Sequence, residues 1–440
     1  MDERWMSAAG IGRAIGAGRI DPVELTESFL EAAETHAFGP RIFARLTQDR
    51  ALSEAKAAAI RARTGQRLGP LDGVPISWKD LFDTAGVATE AGSKLLSGRV
   101  PDTDAEVLKS ATLQGLVCLG KTHMSELAFS GLGLNPVTAT PPNVHDPANA
   151  PGGSSSGAAA SVAFGLGAAA IGSDTGGSAR VPPAWNDLVG LKTTSGRLSL
   201  AGVVPLAARF DTVGPICRTV EDAALLLTTM EGSKPLDLTE PSLSGTRLLV
   251  LTNALEGCRD LPRDAFESAV GRLMDHGATV ERAAMPMLEE AQALSGVLFA
   301  GEAYGIWRDV IEANPGVMFP PILERFRGGK AFSAPDYVSA WLTIDRVRTD
   351  FARAVAGFDA VILPTTPNTP PNVERLLSDG EYYVTENLLT LRNTRYSNLT
   401  GGCALTLPTG VPGAGISFMG PAMGEERLLR LCTAAEKALA

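Results

Sequence analysis

The sequence has few of the residues that build disulfide frameworks and metal sites. Its 440 residues include only five cysteines and four histidines, and neither a Cys-x-x-Cys pair nor a His-Glu-x-x-His motif is present. An odd number of widely spaced cysteines argues against both a disulfide framework and a zinc site. We therefore expect a cytoplasmic protein with reduced thiols and no bound metal.

Basic clusters, a secretory signal and long apolar runs are missing as well. The chain carries 39 Lys+Arg against 49 Asp+Glu, a net charge of -10, which makes it a poor ligand for phosphate backbones. Its acidic start, MDERWMSAAG, lacks the basic-then-apolar order of a secretory signal. No run reaches the roughly 18 apolar residues that a membrane helix needs. We therefore expect neither nucleic acid nor a membrane as a partner.

Short apolar runs alternate with helical patterns along most of the chain, which indicates an α/β protein. Strands are predicted at 74–78, 116–119, 247–252, 278–281, 361–363, 404–407 and 415–418. Such alternation favours a large central sheet that is mixed but mostly parallel and is covered by helices on both faces. Inside an Ala-rich stretch, residues 165–170 predict a tightly packed helix of small residues.

The first 64 residues are expected to form helices packed on this core. Asp21 precedes Pro22, so it can cap a helix with proline at its first position, and residues 47–63 are Ala-rich with interspersed charge. No long polar linker or internal repeat divides the rest of the chain. Residues 65–440 are therefore expected to form a single compact domain.

A cluster of glycine and serine residues between positions 150 and 200 carries the most unusual chemistry of the sequence. Residues 153–157 fit the Gly-x-Ser-x-Gly elbow of α/β-hydrolases, but no strand precedes them, and the only later histidine, His276, is typical of a helix end. A serine nucleophile without a histidine needs another base, and lysine is the natural candidate. Lys79 follows a short apolar strand and is expected to be buried. On these grounds alone, a structural lysine that is salt-bridged at the sheet edge remains an alternative.

Several motifs follow one another in a fixed order. They are GGSSSG at 152–157, GSDTGGSAR at 172–180 and GLK at 190–192, together with the segments 69–87, 120–136, 210–224 and 398–408. This set resembles the amidase signature family, and the match is best over a core of about residues 69–230. The resemblance implies the amidase-signature fold, a small-molecule amide as partner, and no metal or other cofactor.

The resemblance also assigns roles to particular residues. Lys79 matches the lysine base, Ser154 the bridging serine that follows a cis peptide bond, and Ser178 the serine that forms the acyl-enzyme. A lysine base must be neutral, and burial can lower its pKa from about 10.4 to near 7. The other candidates are the backbone N–H groups of Thr175, Gly176, Gly177 and Ser178 for an oxyanion hole, and Phe129, Ser130, Ser155, Asp174 and Arg180 as supporting or substrate-binding residues.

The expected reaction converts a small carboxamide into a carboxylate plus ammonia or an amine. Two alternatives stay open: the glutaminase-type A subunit of a tRNA-dependent amidotransferase, which needs partner chains, and a non-catalytic binding protein with a degenerate site. A homodimer is also left open, since dimers are usual in the family. Trp185-Asn186-Asp187 and Arg209 depart from the family pattern, so the identity of the amide is not predicted.

Overall fold

Eleven strands form one sheet in the computed structural model, which describes residues 2–239 and 241–440. The strands are β1 (Phe43–Leu46), β2 (Pro75–Lys79), β3 (Val117–Thr122), β4 (Ala169–Asp174), β5 (Val189–Lys192), β6 (Thr212–Cys217), β7 (Arg247–Leu251), β8 (Thr279–Ala283), β9 (Ala360–Pro364), β10 (Ala404–Pro408) and β11 (Gly415–Met419). Their order across the sheet is β1-β3-β2-β4-β6-β5-β10-β11-β9-β7-β8.

The sheet is mixed, as predicted, but the predicted parallel majority is wrong. Parallel pairs occur only near the two ends, between β3, β2 and β4 and between β9, β7 and β8. The remaining pairs, which include every neighbour from β4 through β6, β5, β10 and β11 to β9, are antiparallel. The prediction failed because it rested on strand–helix alternation and did not include β4, β5 and β6.

Helices cover the sheet along its width. They are α1 (Ala8–Gly16), α2 (Pro22–Thr35), α3 (Gly39–Ile42), α4 (Gln48–Arg63), α5 (Glu106–Leu113), α6 (Ser156–Ala163), α7 (Val181–Trp185), α8 (Val220–Glu231), α9 (Asp260–Asp275), α10 (Pro286–Ala293), α11 (Gly301–Ala313), α12 (Pro320–Arg327), α13 (Ala334–Val355), α14 (Val373–Ser378), α15 (Gly380–Arg392), α16 (Arg395–Thr400) and α17 (Glu425–Leu439). Every residue of β2, β3, β4 and β6 is buried, so both faces of these strands are covered, as predicted. None of the helices in the described residues is long and apolar enough to cross a membrane.

The N-terminal segment contains the predicted helices and one strand that the sequence did not reveal. The Asp21 side chain accepts a hydrogen bond from the Val23 amide, which caps α2 at the predicted position. Residues 43–46, however, form β1, which pairs antiparallel with β3 at one edge of the sheet. The first 64 residues therefore contribute to the sheet itself, and the prediction of helices alone is wrong for them.

The Ala-rich stretch also differs from its prediction. The helix α6 ends at Ala163, and Gly165 adopts a positive φ of 69° in the turn that follows. Residues 169–174 then form β4 instead of continuing a helix. Small residues are needed there because α6 lies very close: a Cβ atom on Gly172 would lie 2.7 Å from Ser155 Oγ. The small side chains thus reflect close helix–strand packing.

Candidate active site

Two neighbouring parallel strands bring the candidate catalytic residues together. Lys79 is the last residue of β2, and Ser173 and Asp174 are the last residues of β4, which pairs with β2 in parallel. The carboxyl ends of parallel strands meet at the same edge of a sheet. The loop that precedes α6 brings Ser154 to this edge, and the turn after β4 brings Ser178.

Lys79 lies in the interior with no exposed surface. Burial lowers its pKa from 10.5 to about 7, because water no longer solvates the ammonium form, while the charges of Asp174 and Asp211 act in the opposite direction. Among the described residues, Lys79 makes no ion pair. The alternative of a structural, salt-bridged lysine describes Lys121 instead, since Lys121 Nζ lies 3.3 Å from Asp80 Oδ1. Lys79 can therefore lose its proton near neutral pH.

The lysine and the two predicted serines form a continuous hydrogen-bonded line. Lys79 Nζ lies 2.7 Å from Ser154 Oγ, and Ser154 Oγ lies 2.9 Å from Ser178 Oγ. The peptide bond between Gly153 and Ser154 is cis. All three side chains are buried, with Ser178 5% exposed at the wall of a cavity. A proton can pass from Ser178 through Ser154 to Lys79 along this line.

Ser173 is a further contact of the lysine that the sequence analysis did not single out. Its Oγ lies 2.8 Å from Lys79 Nζ, on the strand β4. Ser155, a predicted supporting residue, does not contact the lysine, because its Oγ accepts from the Ser173 amide and donates to the Ser173 carbonyl. Ser155 therefore fixes the backbone at Ser173. The motif GSD at 172–174 was the available signal for Ser173, but nothing in it distinguishes this serine from a packing residue.

The turn that carries Ser178 is organised by Asp174 and Arg180. The Asp174 carboxylate accepts from the backbone amides of Gly177 and Ala179 and pairs with the Arg180 guanidinium at 3.0 Å. Both side chains are buried, and the Arg180 charge keeps the pKa of Asp174 below its ordinary value despite burial. Asn398 from α16 donates to the same carboxylate. Arg180 thus holds the turn in place.

The backbone amides around Ser178 differ in whether they are free to bind an oxyanion. The Gly177 amide already donates to Asp174 Oδ1 at 2.9 Å. In the described part of the chain, the amides of Thr175, Gly176 and Ser178 have no hydrogen-bond acceptor outside regular secondary structure. Thr175 donates its hydroxyl hydrogen to Asp211, and the Gly176 carbonyl accepts from Thr394. These contacts hold the turn in a conformation in which the three amides can donate to an oxyanion.

A narrow cavity opens in front of Ser178. Its lining includes the predicted residues Phe129, Ser130, Thr175, Gly176 and Ser178, together with Leu206, Phe299, Arg325, Leu391 and Arg395. Its free volume is about 20 Å³, enough for one or two water molecules. Ser130 is held by hydrogen bonds with Asn387 and Tyr383. In the described residues, no group of three or more His, Cys, Asp or Glu side chains could hold a metal ion.

The two departures from the family pattern lie behind and beside this cavity. Asn186 donates from Nδ2 to the carbonyls of Pro151 and Pro182, at 2.8 Å each, and so braces the loop that leads to Ser154. Trp185 is fully buried and donates from Nε1 to Thr366. Arg209 is exposed and lies 4.8 Å from the ring centre of Trp341. None of these residues lines the cavity in front of Ser178.

Comparison with known proteins gives the same family over nearly the whole chain. The model of the family described as Amidase matches residues 24–429. The 2-amino-5-chloromuconic acid deaminase of Comamonas testosteroni is 36% identical, over 98% of this chain and 96% of that protein. The A subunit of the glutamyl-tRNA(Gln) amidotransferase from Anaeromyxobacter sp. (strain K) is 34% identical, over 97% of this chain and 95% of that protein.

Solved structures agree with the sequence matches. A crystal structure of an amidase superposes with a TM-score of 0.89 at 31% identity and covers 99% of this chain and 100% of that one. Native peptide amidase from Stenotrophomonas maltophilia superposes with a TM-score of 0.81 at 28% identity, covering 99% of this chain and 97% of that one. A full-length sequence match and a full-length structural match therefore lead to one conclusion: the chain belongs to the amidase signature family and is an amide-hydrolysing enzyme.

Proposed function

We propose that the enzyme hydrolyses the C–N bond of a small linear carboxamide through an acyl-enzyme on Ser178. The observation that carries this proposal is the line from Lys79 Nζ to Ser154 Oγ to Ser178 Oγ, with separations of 2.7 and 2.9 Å and a lysine whose pKa is about 7. The narrow cavity in front of Ser178 favours a small acyl group. Side chains carry every proton in this scheme, so it uses no metal or cofactor.

The first half of the reaction forms the ester. Neutral Lys79 accepts the proton of Ser154, which in turn accepts the proton of Ser178, while Ser178 Oγ attacks the amide carbon. The carbonyl oxygen gains the negative charge and binds the amides of Thr175, Gly176 and Ser178. When the intermediate collapses, the C–N bond breaks, and the proton returns from Lys79 through Ser154 to the departing nitrogen. Ammonia or an amine leaves, and Ser178 remains acylated.

The second half of the reaction releases the acid. A water molecule takes the place of the departed amine and gives its proton to Ser154, which passes a proton to Lys79. The resulting hydroxide attacks the ester carbon, and the bond to Ser178 Oγ breaks. Ser178 recovers its proton through Ser154, and the product leaves as a carboxylic acid that loses its proton to water. The same pair of side chains thus acts as base and then as acid in each half.

A second candidate is the glutaminase-type component of a tRNA-dependent amidotransferase. A relative that is the A subunit of a glutamyl-tRNA(Gln) amidotransferase matches over 97% of this chain, so the same chemistry could serve an assembly. The deaminase and peptide amidase relatives favour a free amidase. The two candidates differ in whether the isolated chain turns over simple amides, and in whether added partner subunits raise that rate.

The central test is ammonia release from a panel of linear amides by wild type and Ser178→Ala. We expect the wild type to hydrolyse at least one amide and Ser178→Ala to lose about 10³-fold or more in kcat. Ser156→Ala is the matched control, because Ser156 is equally buried but does not contact Lys79. Full activity of Ser178→Ala would refute the scheme. Failure of a serine-directed fluorophosphonate to label Ser178 would favour the non-catalytic binding protein.

A further inference from the structure

Two arginines that the mechanism does not use line the cavity in front of Ser178. Arg325 belongs to α12, and Arg395 is the first residue of α16. Both share the cavity wall with Thr175, Gly176 and Ser178. The Arg395 side chain packs over the nucleophile turn, since its Cγ would lie 3.7 Å from a Cβ atom on Gly176. Two arginine side chains thus line the cavity in front of Ser178.

Neither guanidinium is neutralised by the protein. In residues 2–239 and 241–440, no carboxylate lies within ion-pair distance of Arg325 or Arg395, and Arg325 Nη1 is buried without a hydrogen-bond partner. Arg325 lies 4.4 Å from the ring centre of Phe129, and Arg395 lies 6.0 Å from that of Phe299. Stacking on a ring leaves the guanidinium N–H groups free to bind a ligand.

Other buried arginines in the described residues have acceptors for their guanidinium groups. Arg218, which has no carboxylate partner, donates to the carbonyls of Ala168 and Val162. Arg180 pairs with Asp174, and Arg197 pairs with both Glu231 and Glu425. A guanidinium that is shielded from water and has neither a carboxylate nor a carbonyl acceptor is costly, so such a pair indicates a site that a ligand completes. The two arginines are therefore unusual within this molecule.

Both arginines keep their charge at neutral pH. Burial lowers the pKa of Arg325 to about 10. Burial, reinforced by the charge of Arg325, lowers the pKa of Arg395 to about 9. The wall of the cavity is thus doubly positive in a chain whose net charge is -10. Such a local field attracts and holds an anion.

The position of Arg325 is fixed by the core of the protein. Glu126, a buried residue two positions before Ala128 of the cavity wall, accepts from the Phe319 amide, which precedes the first turn of α12. Its other oxygen accepts from Ser93 at 2.7 Å. The helix that carries Arg325 is therefore attached to the same segment that supplies Phe129.

We propose that Arg325 and Arg395 bind a carboxylate of the substrate, so that the enzyme acts on small amides that carry a carboxylate near the scissile carboxamide. This inference rests on the proposed function, because the carboxylate is placed relative to an amide at Ser178. A planar guanidinium matches a planar carboxylate through two parallel hydrogen bonds.

The test compares the half-amide and the diamide of the same short diacid, such as malonic or succinic acid. We expect the wild type to prefer the half-amide, and Arg325→Gln or Arg395→Gln to lower kcat/KM for it by about 100-fold, mainly by raising KM. For the neutral diamide, the loss of kcat/KM in each variant should be at least about 10-fold smaller than for the half-amide, because no charge is bound there. Arg325→Lys should show a smaller loss, since it keeps the charge without the paired hydrogen bonds. Arg308→Gln, at an exposed arginine on α11, is the control.

A second measurement does not depend on turnover. Malonate or succinate should protect Ser178 of the wild type from a fluorophosphonate, and this protection should be lost in Arg325→Gln and Arg395→Gln. Equal losses on half-amide and diamide, or no protection of a reactive Ser178 by either dicarboxylate, would overturn the carboxylate site and leave the proposed hydrolysis intact. Protection by inorganic phosphate alone would also overturn it. If no amide is hydrolysed and Ser178 is unreactive, the proposed function fails and this inference fails with it.

Discussion

At the scale of single residues, the proposed mechanism depends on the charge state of Lys79. Its pKa of about 7 means that it is protonated below neutral pH and neutral above. Only the neutral amine can accept a proton, so activity rises as the pH increases through this value. We predict that kcat/KM for a neutral amide follows an ascending limb with an apparent pKa near 7, measured by ammonia release across pH 5–9.

The control for this prediction is the lysine itself. Lys79→Ala should lower kcat/KM by about 10³-fold, in the range expected for loss of a general base. Lys79→Ala should also remove the ascending limb from the small activity that remains. An ascending limb that persists in the pH profile of Lys79→Ala would contradict a buried neutral base. A wild-type limb with an apparent pKa near the ordinary lysine value of 10.5 would contradict it as well.

Ser173 is predicted to influence the pKa of Lys79, and with it the position of the ascending limb of the pH profile. Its Oγ, 2.8 Å from Lys79 Nζ, can accept a hydrogen bond from the ammonium form. Ser173→Ala removes an acceptor that stabilises the charged state more than the neutral one, so the pKa of Lys79 should fall. We expect the limb of the pH profile to move to lower pH by roughly one unit. Ser156→Ala should leave the limb in place, and an equal shift in that variant would mean that general loosening of the site is responsible.

At the scale of elements, the turn after β4 depends on the short helix α16. Arg180 donates to Asp174, to the Thr394 carbonyl and to Asn398 Oδ1, which connects the nucleophile turn to a helix that follows it by more than two hundred residues. A buried carboxylate that loses its cation remains in the interior uncompensated. The contacts of Arg180 between the nucleophile turn and α16 should therefore contribute strongly to the free energy of unfolding.

We predict that Arg180→Met lowers the free energy of unfolding by about 3–5 kcal/mol, because Asp174 is left as an unpaired buried charge. Urea unfolding followed by circular dichroism measures this change. The matched control is Arg353→Met, at an arginine whose side chain is 78% exposed and 3.7 Å from Asp350. That control should change stability by less than about 0.5 kcal/mol. Equal small losses in both variants would show that the buried pair contributes little.

At the scale of the whole molecule, the C-terminal helix α17 introduces a pH dependence of stability. Glu436 accepts a hydrogen bond from the Val220 amide at the start of α8, at 2.9 Å. Burial raises the pKa of Glu436 from 4.5 to about 7, and the nearby Asp222 and Glu221 charges add to this effect. The folded state therefore binds a proton more tightly than the unfolded state. Its stabilising contribution is complete below pH 4.5 and is lost as the pH rises through 7.

We predict that Glu436→Gln flattens the decline in the free energy of unfolding between pH 4.5 and 7 and makes the protein more stable than the wild type at pH 8. Urea unfolding at a series of pH values measures this difference. Glu426→Gln, at an exposed position on the same helix, should reproduce the wild-type curve. Parallel curves for Glu436→Gln and the wild type would show that Glu436 is not the group responsible.

The sequence predicted some elements well and others not at all, for physical reasons. The strand that ends at Lys79 stands out because it is a short apolar run that follows a glycine. β4 consists mostly of small residues and glycine, so it lacks the β-branched pattern of a strand, and β5 is only four residues long. The direction of strand pairing depends on long connections and could not be read from local patterns.

The same distinction applies to the site. Lys79, Ser154 and Ser178 could be predicted as candidates because their motifs are contiguous and occur in a fixed order. Arg325 and Arg395 could not, because an arginine in a helical stretch usually lies at the surface. Only the folded chain shows that they approach Ser178 and lack counterions. Residues brought in by distant helices are the part that sequence patterns do not reveal.

The helical insert between β8 and β9, residues 284–359, has a consequence for engineering. This stretch contains no strand and holds Phe299 and Arg325, whereas Lys79, Ser154, Ser173 and Ser178 all precede it. Transplanting this helical insert from a homologue, or randomising it in a library, would therefore change part of the cavity wall and leave the proposed catalytic residues unchanged. New specificities can then be sought by exchanging one helical insert while the rest of the chain is kept.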